Sequence, residues 1–383
     1  MRVLLAHNRY RLPGGEERNV DGLEAALTDA GVEVRRHERD SATLDDSPLQ
    51  RALAGLALTY RPGAGGIRSA LRDWKPSVVH FHNIWPLLTP SALRAASQSG
   101  AAVVLNVQNY RFACPGGTLL RNGEIHEDCI EGSSLLCGLR NPRSSRLEGV
   151  AYGIALELQR RLRMLDRWVD AFIAPSEFMR QMLVRAGLPP ARIHVIPNSV
   201  PLTDQPQASE RKYVLFFGRL VPEKGVRTLL EASRLLPDVP IVFAGDGPLA
   251  AEVSGAGGRT RYLGVLDPGG VTEALRQAAF TVVPSEWYEP LGRTAVESFE
   301  AGRAVVATRM GGLPEVVDNE RTGLLVEPGV PAALAGAIER LWGDPRRAAE
   351  MGNQARATAE ERFSRNEQTA RLLQIYADAG AQR

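Results

Sequence analysis

Apolar and polar positions alternate along the chain with two different periods. Short apolar runs, several of them rich in β-branched residues, occupy residues 3–6, 78–81, 103–107 and 171–174 and predict buried strands. Between the first two runs, residues 19–30 carry Val20, Leu23 and Leu27 at helical spacing, and Gly31 stands where such a helix would stop. Strands that alternate with helices in this way are typical of an α/β domain with a parallel sheet.

The same pattern restarts after a polar stretch that contains several prolines. Residues 198–211 have the composition of a linker. Apolar runs follow at 214–217, 241–244, 261–263, 281–284 and 304–307, with a helical pattern near 226–236. Residues 345–377 are rich in arginine and glutamate and predict helix without strand. We therefore expect two α/β domains and a C-terminal helical segment.

Length and charge agree with this division and exclude some classes of protein. A chain of 383 residues exceeds the usual size of a single core. The net charge of +2 disfavours a nucleic-acid partner, which usually requires a concentrated basic face. The first apolar run ends at His7, so it predicts a strand and not a signal peptide, and no run is long enough to span a bilayer. We expect a cytoplasmic protein whose three cysteines stay reduced.

Residues 285–298, SEWYEPLGRTAVES, are the most informative segment of the second half. We expect Pro290 at the first position of a helix, where Pro290, Leu291 and Gly292 would form an N-terminus that binds a diphosphate. Glu289 precedes this terminus and Glu297 would lie two turns inside the helix. One carboxylate is then placed to accept hydrogen bonds from a sugar and the other from a ribose. The alternative is a solvated helix face with one capping acid.

Two further loops of the second half follow predicted strands. Residues 218–225, GRLVPEKG, place Arg219 and Lys224 where both can contact phosphate. Lysine occurs at only three positions in the chain, which favours a specific role for the one in this loop. A turn made of Gly245, Asp246 and Gly247 follows the next strand, and strand ends of this kind line the ligand crevice of a doubly wound sheet. The alternative for Arg219 and Lys224 is an ordinary surface pair.

The first strand is followed by a glycine-containing loop, RLPGGEER at residues 11–18. Gly14 and Gly15 can bring the backbone close to a ligand, although a plain strand-to-helix turn is the alternative. The loop lacks the G-x-G-x-x-G fingerprint, which argues against a dinucleotide-dependent dehydrogenase.

A second loop of the first half, HFHNIWP at residues 80–86, ends a predicted strand. His80 and His82 should point to the same side by the two-residue alternation of a strand. A metal pair is one interpretation. The interpretation we favour is that His82 and Asn83 face a ligand cleft between the domains, with a purely structural His82 as the alternative.

Four potential metal ligands follow in the first half. Cys114, His126, Cys129 and Cys137 include one pair, His126 and Cys129, at the two-residue gap that is typical of zinc knuckles. We consider a structural zinc site here. Buried thiols with a loop histidine are the alternative, because the other gaps are irregular.

The stretch from 140 to 167 is rich in arginine among apolar residues, and a basic amphipathic helix of this kind can lie on anionic lipid. A solvated helix face is the alternative. The arginines are Arg140, Arg143, Arg146, Arg160, Arg161, Arg163 and Arg167, and the apolar residues include Leu147, Val150, Ile154, Leu158 and Leu162.

Taken together, Glu289 and Glu297 with seven residues between them, GRLVPEKG, AGDGP and GGLPEVV resemble the retaining GT-B glycosyltransferases of family four. The resemblance covers essentially the whole chain and implies two facing Rossmann-like domains with the active site in the cleft between them. Residues 1–197 would bind the acceptor, 198–211 form the linker, 212–360 bind the nucleotide sugar, and 361–383 form a helix that packs back toward the first domain.

The resemblance also implies roles for individual residues. Arg219 and Lys224 would hold the donor diphosphate, Glu289 the donor sugar and Glu297 the ribose. The segment NVQNYRFACP resembles one that commonly reads TLHNYRxxCP, and Gln108 stands where many relatives have a histidine beside the reacting sugar. Relatives also often carry cysteines at the four positions from Cys114 to Cys137.

The implied function is retaining transfer of a sugar from a nucleotide-diphosphate sugar to a glycan or lipid-linked acceptor, without a catalytic metal, in bacterial polysaccharide assembly. His82, Gln108 and Glu289 are the catalytic candidates. Two alternatives stay open. A nucleotide-sugar epimerase of the same fold would need no acceptor, and a catalytically silent scaffold would bind the sugar nucleotide without turnover.

Overall fold

The computed structural model describes residues 1–9, 15–43, 64–140, 145–200 and 211–381. The chain divides into two compact units. The first unit contains Met1–Pro197 and Asn366–Arg383, and the second unit contains Asn198–Arg365. Each unit is built around a parallel sheet of six strands.

The sheet of the first unit has the strand order β2-β1-β3-β4-β7-β8. Its strands are β1 (Arg2–Arg9), β2 (Glu33–Asp40), β3 (Val78–Phe81), β4 (Ala102–Asn106), β7 (Ala171–Ala174) and β8 (Ile193–Val195), and a separate antiparallel ribbon pairs β5 (Leu120–Arg121) with β6 (Glu124–Ile125). Strands β3, β4 and β7 are buried at every position, as expected for a parallel sheet covered on both faces. The order reverses between β1 and β3, so the carboxyl ends of these two strands mark the switch point where such sheets bind ligands.

Helices cover the sheet of the first unit. They are α1 (Gly15–Asp29), α2 (Ala64–Trp74), α3 (Thr89–Gln98), α4 (Asp128–Glu131), α5 (Ser134–Arg140), α6 (Arg146–Arg161), α7 (Met164–Trp168) and α8 (Glu177–Arg185). The C-terminal helix α16 (Arg365–Ala381) adds Leu372, Ile375 and Tyr376 to the core that also contains Val3 and Val104.

The sheet of the second unit has the order β11-β10-β9-β12-β13-β14. Its strands are β9 (Tyr213–Phe217), β10 (Ile241–Ala244), β11 (Thr260–Tyr262), β12 (Ala278–Val283), β13 (Val305–Thr308) and β14 (Gly323–Val326). Its helices are α9 (Val226–Arg234), α10 (Ala250–Ser254), α11 (Pro268–Gln277), α12 (Arg293–Glu300), α13 (Leu313–Val316), α14 (Pro331–Gly343) and α15 (Pro345–Arg362). The switch point of this sheet lies between β9 and β12.

The prediction of two α/β folds is confirmed, and the runs at 78–81, 171–174 and 241–244 are strands with those bounds. The sequence pattern missed β2, β8 and β14. Strand β2 carries the sequence EVRRHERD and has only intermediate and exposed positions, so it lacks the apolar run by which the other strands were found. Among the described strands it lies at the edge of the sheet and pairs with β1 alone.

Candidate functional site

Two charged side chains meet at the carboxyl edge of the second sheet. The Lys224 ammonium donates a hydrogen bond to Oε1 of Glu289 over 2.6 Å, and the Ser285 hydroxyl donates to the same oxygen over 2.5 Å. Glu289 is 4% exposed. The Lys224 ammonium also lies 5.3 Å from the ring centroid of Trp287. The loops after β9 and β12 therefore converge on one buried carboxylate.

The surroundings of Glu289 keep it ionised. Burial alone would raise the pKa of Glu289, but the charge of Lys224 and hydrogen bonds from Lys224, Ser285 and Trp287 outweigh burial and hold this pKa below its ordinary value. The site thus presents a fixed negative charge beside a fixed positive one before any ligand arrives.

Close backbone contacts lock these loops together. Gly225 has a φ of +69°, and a Cβ at this position would lie 1.8 Å from the carbonyl oxygen of Pro284. Gly245 has a φ of +134°, and its Cβ would lie 1.8 Å from the carbonyl oxygen of Gly218. Only glycine allows this approach, so the positions of the loops relative to one another depend on these residues.

The helix after Glu289 begins later than the sequence predicted. Gly292 caps α12 in the left-handed conformation with a φ of +97°, and Arg293 is the first helical residue. The expectation that Pro290 is the first helical residue is therefore wrong, because the conformation of Gly292 interrupts the helix there. Leu291 is buried in the same loop. Glu297 lies about one turn inside α12 instead of two.

Glu297 and Arg219 lie near these loops, and each contacts a charged residue of its own segment. Glu297 accepts a hydrogen bond from Nε of Arg293 over 2.8 Å, one turn earlier on α12. The side chain of Arg219 is 61% exposed and lies 3.5 Å from Glu223. The guanidinium of Arg219 therefore lies at the protein surface, where it is accessible to a ligand.

Backbone hydrogen bonds connect two more loops to this site: the turn after β10 and the loop after β13 that contains Gly311 and Gly312. The amide of Leu220 donates to the carbonyl of Asp246 over 2.7 Å, and Asp246 itself caps the amide of Gly247 over 2.8 Å. The amide of Gly312 donates to the carbonyl of Glu289 over 2.7 Å. The sequence pattern does not identify Ser285 or Gly312 as partners of Glu289, because both contacts depend on the folded loops.

A second group of polar residues lies at the carboxyl edge of the first sheet. The side-chain nitrogen Nε2 of Gln108 donates a hydrogen bond to Oδ1 of Asn106 over 2.9 Å. The side-chain nitrogen Nδ2 of Asn106 lies 3.2 Å from Nδ1 of His82. Within the described part of the chain, Nε2 of His82 is buried and has no hydrogen-bond partner. Burial, reinforced by His80 and His7, lowers the pKa of His82 well below its ordinary value, so the ring is neutral. Because the Asn106 nitrogen can only donate, Nδ1 of His82 accepts and Nε2 carries the proton that it can donate to a ligand.

His80 and Asn83 serve the architecture of this edge. The rings of His80 and His82 stack with centroids 4.6 Å apart, on the same side as expected. Nδ1 of His80, however, lies 2.6 Å from the Tyr376 hydroxyl, and burial lowers the pKa of His80 to about 3. The Asn83 amide donates to the carbonyl of Asn8 over 2.9 Å and its oxygen accepts from the amide of Trp85 over 3.1 Å. Both groups of the Asn83 side chain are thus used to hold the loop.

The structure describes only part of the predicted glycine loop of the first half. Gly14 lies outside the described residues, together with residues 10–13. Gly15 is the first residue of α1 and not a loop residue.

The four potential metal ligands of the first unit come together. The ligand atoms of Cys114, His126, Cys129 and Cys137 all lie within 4.8 Å of one another, and all four residues are buried. Cys129 and Cys137 form a disulfide, and Cys114 is a free thiol. The expectation of three reduced cysteines is therefore wrong for this structure, because the fold places the Cα atoms of Cys129 and Cys137 5.8 Å apart, within the range of a disulfide.

Comparison with protein families finds two matches that lie one after the other. Residues 13–199 match the glycosyl transferase 4-like domain, and residues 203–358 match the glycosyl transferases group 1.

Individual proteins are similar over different shares of their length. The chain is 36% identical over 248 residues to alpha-maltose-1-phosphate synthase of Mycolicibacterium smegmatis, a match that covers 55% of the chain and 64% of that protein. It is 26% identical to glycogen synthase of Mycobacterium tuberculosis over 98% of the chain and 94% of that protein. The crystal structure of Anabaena HepE in complex with UDP superposes with a TM-score of 0.69 at 17% identity and covers 99% of this chain and 100% of that one. Across the described residues, no helix has both the length and the apolar character needed to cross a membrane.

Proposed function

The chain belongs to the glycosyl transferases group 1 and has the GT-B fold, and on that premise we propose that it transfers a sugar, with retention of anomeric configuration, from a nucleotide-diphosphate sugar to a glycan or lipid-linked acceptor. The observation that carries this proposal is the contact of 2.6 Å between Lys224 and Glu289 at the switch point of the second sheet. It places a cation for phosphate next to a carboxylate for sugar hydroxyls.

The donor would bind to the second unit. Lys224 and the exposed Arg219 provide positive charge for the diphosphate, and the N-terminus of α12 adds the positive end of its helix dipole. Glu289 would accept hydrogen bonds from the sugar and Glu297 from the ribose. HepE is described in complex with UDP and with UDP-glucose, so uridine diphosphate sugars are the first donors to test.

Stabilisation of the negative charge that develops on the diphosphate would lower the barrier to the transfer. The bond between the anomeric carbon and the phosphate oxygen breaks, and a bond to the acceptor oxygen forms on the same face of the sugar. The acceptor proton passes to the leaving phosphate oxygen, while Lys224 and Arg219 stabilise the negative charge that develops there. Glu289, held by Lys224 and Ser285, would orient the sugar during this change.

Residues of the first unit would contact the acceptor. His82 is neutral and its Nε2 atom is buried without a hydrogen-bond partner in the described chain, so it can bind an acceptor hydroxyl. Gln108 stands where many relatives have a histidine, and its side chain does not titrate. Two hydrogen bonds, from Gln108 to Asn106 and from Asn106 to His82, connect Gln108 with His82.

We further propose that a lipid-linked acceptor is reached at an anionic bilayer surface on the cytoplasmic face of the membrane. Leu147, Leu158 and Leu162 are each about half exposed and lie within about 60° of one another around the axis of α6 and its C-cap. Leu136 and Leu139 of α5 are also half exposed. The neighbouring Arg161 and Arg163 side chains are 75% and 73% exposed, and this combination of leucine and arginine is suited to anionic lipid. Arg143 lies outside the described residues.

The reaction can be tested with UDP-glucose and related donors, in the presence and absence of glycan and lipid-linked acceptors. We expect release of the nucleoside diphosphate that depends on the acceptor, and a product whose anomeric configuration by NMR is that of the donor. Epimerised donor without transfer would instead indicate an epimerase, and binding without either product would indicate a scaffold. An inverted product would contradict retention.

Membrane contact has a separate test. The wild-type protein should sediment with vesicles of phosphatidylglycerol and phosphatidylcholine. A variant in which Leu147 and Leu158 are both changed to serine should stay mostly in the supernatant. Leu235→Ser is the matched control, because Leu235 is equally exposed but lies in the second unit. Equal sedimentation of all three proteins would contradict this surface.

A further inference from the structure

We propose that Cys114, His126, Cys129 and Cys137 form a structural zinc site when their thiols are reduced, and that the metal fastens the segment that follows Gln108. The proposal of a metal stands apart from glycosyl transfer, and only its consequence for Gln108 rests on the proposed function.

The four side chains form a complete donor set for zinc. They come from the turn after Gln108, the end of the β5–β6 ribbon, α4 and α5, and their ligand atoms lie within 4.8 Å of one another. Ideal tetrahedral coordination, with Zn–S distances of about 2.3 Å, requires ligand separations of about 3.8 Å. Side-chain rotations can supply the difference of about 1 Å at the widest separation. Three cysteines and one histidine are a common set for structural zinc.

The disulfide accounts for only half of the cluster. It uses Cys129 and Cys137, and it leaves the Cys114 thiol and the His126 ring buried beside it. His126 is 7% exposed, its Nδ1 atom lies 3.9 Å from the sulfur of Cys129, and its Nε2 atom is buried without a hydrogen-bond partner in the described chain. Burying a polar ring nitrogen without a hydrogen-bond partner costs free energy. Zinc bound to this nitrogen would be its partner, whereas the disulfide leaves it without one.

The charge beside the cluster suits a zinc complex. Zinc with three thiolates and one neutral imidazole carries a net charge of −1, so its burial requires a nearby cation. The guanidinium of Arg160 lies beside α4 and donates to the carbonyls of Cys129 and Ile130 over 3.4 and 3.3 Å. It therefore provides positive charge at the edge of the cluster.

Two of the elements that carry the ligands are very short. Strands β5 and β6 have two residues each and α4 has four, so these elements cannot form a hydrophobic core of their own. The amide of Cys114 donates to the carbonyl of Tyr110 over 2.8 Å, and the amide of Tyr110 donates to the carbonyl of Gly117. A metal held by Cys114 would therefore stiffen the turn that directly follows Gln108.

The disulfide of the structure would be the oxidised, metal-free state of the same site. The thiolates of Cys129 and Cys137 give two electrons to hydrogen peroxide, so that the S–S bond forms and the O–O bond breaks. The peroxide takes up two protons and leaves as two molecules of water. Zinc is then released because two of its four ligands are lost.

The test is metal analysis of the full-length protein purified in the presence of a reducing agent and zinc. We expect about one zinc per chain in the wild type, and less than about a tenth of that in Cys114→Ser and His126→Ala. His194→Ala is the matched control, because His194 lies on β8 outside the cluster, and it should keep its zinc. Peroxide should release the metal from the wild type with loss of two titratable thiols.

A second measurement does not depend on the folding of any variant. Cobalt added to reduced, chelator-treated wild-type protein should produce the intense visible and near-ultraviolet absorption of tetrahedral cobalt bound to thiolate. Absence of zinc from the reduced wild type, retention of full zinc in Cys114→Ser, or a cobalt spectrum without thiolate bands would each overturn the proposal.

Discussion

Lys224 and Glu289 are 65 positions apart in the sequence, yet the Lys224 ammonium lies 2.6 Å from the Glu289 carboxylate. The two residues belong to loops that follow β9 and β12, which are neighbours in the sheet although two strands, β10 and β11, lie between them in the chain order. The reversal of strand order opens the sheet edge at this point. The ion pair is therefore a product of topology, and it marks where the second unit can bind a charged ligand.

Glu289→Gln should reduce catalysis more than binding. The substitution keeps the shape of the side chain but removes the charge that orients the sugar and pairs with Lys224. We expect kcat to fall by about 100-fold or more, with the dissociation constant of the nucleoside diphosphate within about tenfold of wild type. Initial rates and calorimetric titration measure the two effects. Glu231→Gln, at an exposed position of α9, is the control, and a Glu289→Gln enzyme with more than half of wild-type kcat would contradict the assigned role.

Lys224→Met should destabilise the protein in a way that depends on pH. In the wild type the pKa of Glu289 is below its ordinary value, so the associated stability is present at neutral pH and is lost as the pH falls below about 4.3. Without Lys224, burial would raise this pKa above the value in the unfolded chain, and the variant would lose stability as the pH rises.

The difference in melting temperature between wild type and Lys224→Met should therefore be largest near neutral pH and should shrink toward pH 4. A loss of about 2–4 kcal/mol in the free energy of unfolding is expected at neutral pH. Circular dichroism melts across this range provide the measurement. Arg234→Met, which removes an exposed charge from α9, should show a small difference throughout. A Lys224→Met difference that does not change with pH would argue against the coupling.

Gly225→Ala should disrupt the loop that carries Lys224. The added Cβ would lie 1.8 Å from the carbonyl oxygen of Pro284, at a φ of +69°. We expect a loss of more than about 2 kcal/mol in unfolding free energy and weaker donor binding. Gly336→Ala is the control, since Gly336 lies inside α14 with open space around it and should gain about 0.5–1 kcal/mol. Urea denaturation that placed the two variants at equal stability would refute this account of the loop.

Gln108→Ala should affect the acceptor step alone. It removes the hydrogen bond of 2.9 Å to Asn106, which in turn contacts His82. We expect kcat to fall by about tenfold without a change in donor affinity, and Gln108→His to retain most of the activity because histidine can still donate a hydrogen bond. Gln354→Ala, at an exposed position of α15, is the control. A loss of donor affinity in Gln108→Ala with unchanged kcat would place the residue on the donor side instead.

The fold was predictable from the sequence because most strands of both sheets are buried on both faces. Such strands appear as continuous apolar runs, and these runs located β3, β7 and β10 to the residue. Strand β2 could not be found in this way, because it lies at an edge and carries charged residues along its length. Its place in the sheet depends on pairing with β1, which is a tertiary contact.

The candidate site was predictable as a set of loops but not as a set of distances. Motif order placed Lys224 and Glu289 in loops after strands, whereas their direct ion pair required the strand order of the folded sheet. The start of α12 was misplaced because Pro290 is common at helix starts, while the left-handed conformation of Gly292 delays the helix. Spacing alone likewise did not predict that Cys129 and Cys137 are bonded, because connectivity depends on distances in the fold. The roles proposed for Glu297, His82 and Gln108 stay predictions.

The most direct test of the central claim is the melting temperature of the wild type and of Lys224→Met across a panel of nucleoside diphosphates and nucleotide sugars. A ligand that binds the folded protein raises its melting temperature. We predict a selective rise for the wild type with one nucleotide sugar and a much smaller rise for Lys224→Met. No rise with any member of the panel, or an equal rise in both proteins, would contradict a donor site built on Lys224 and Glu289.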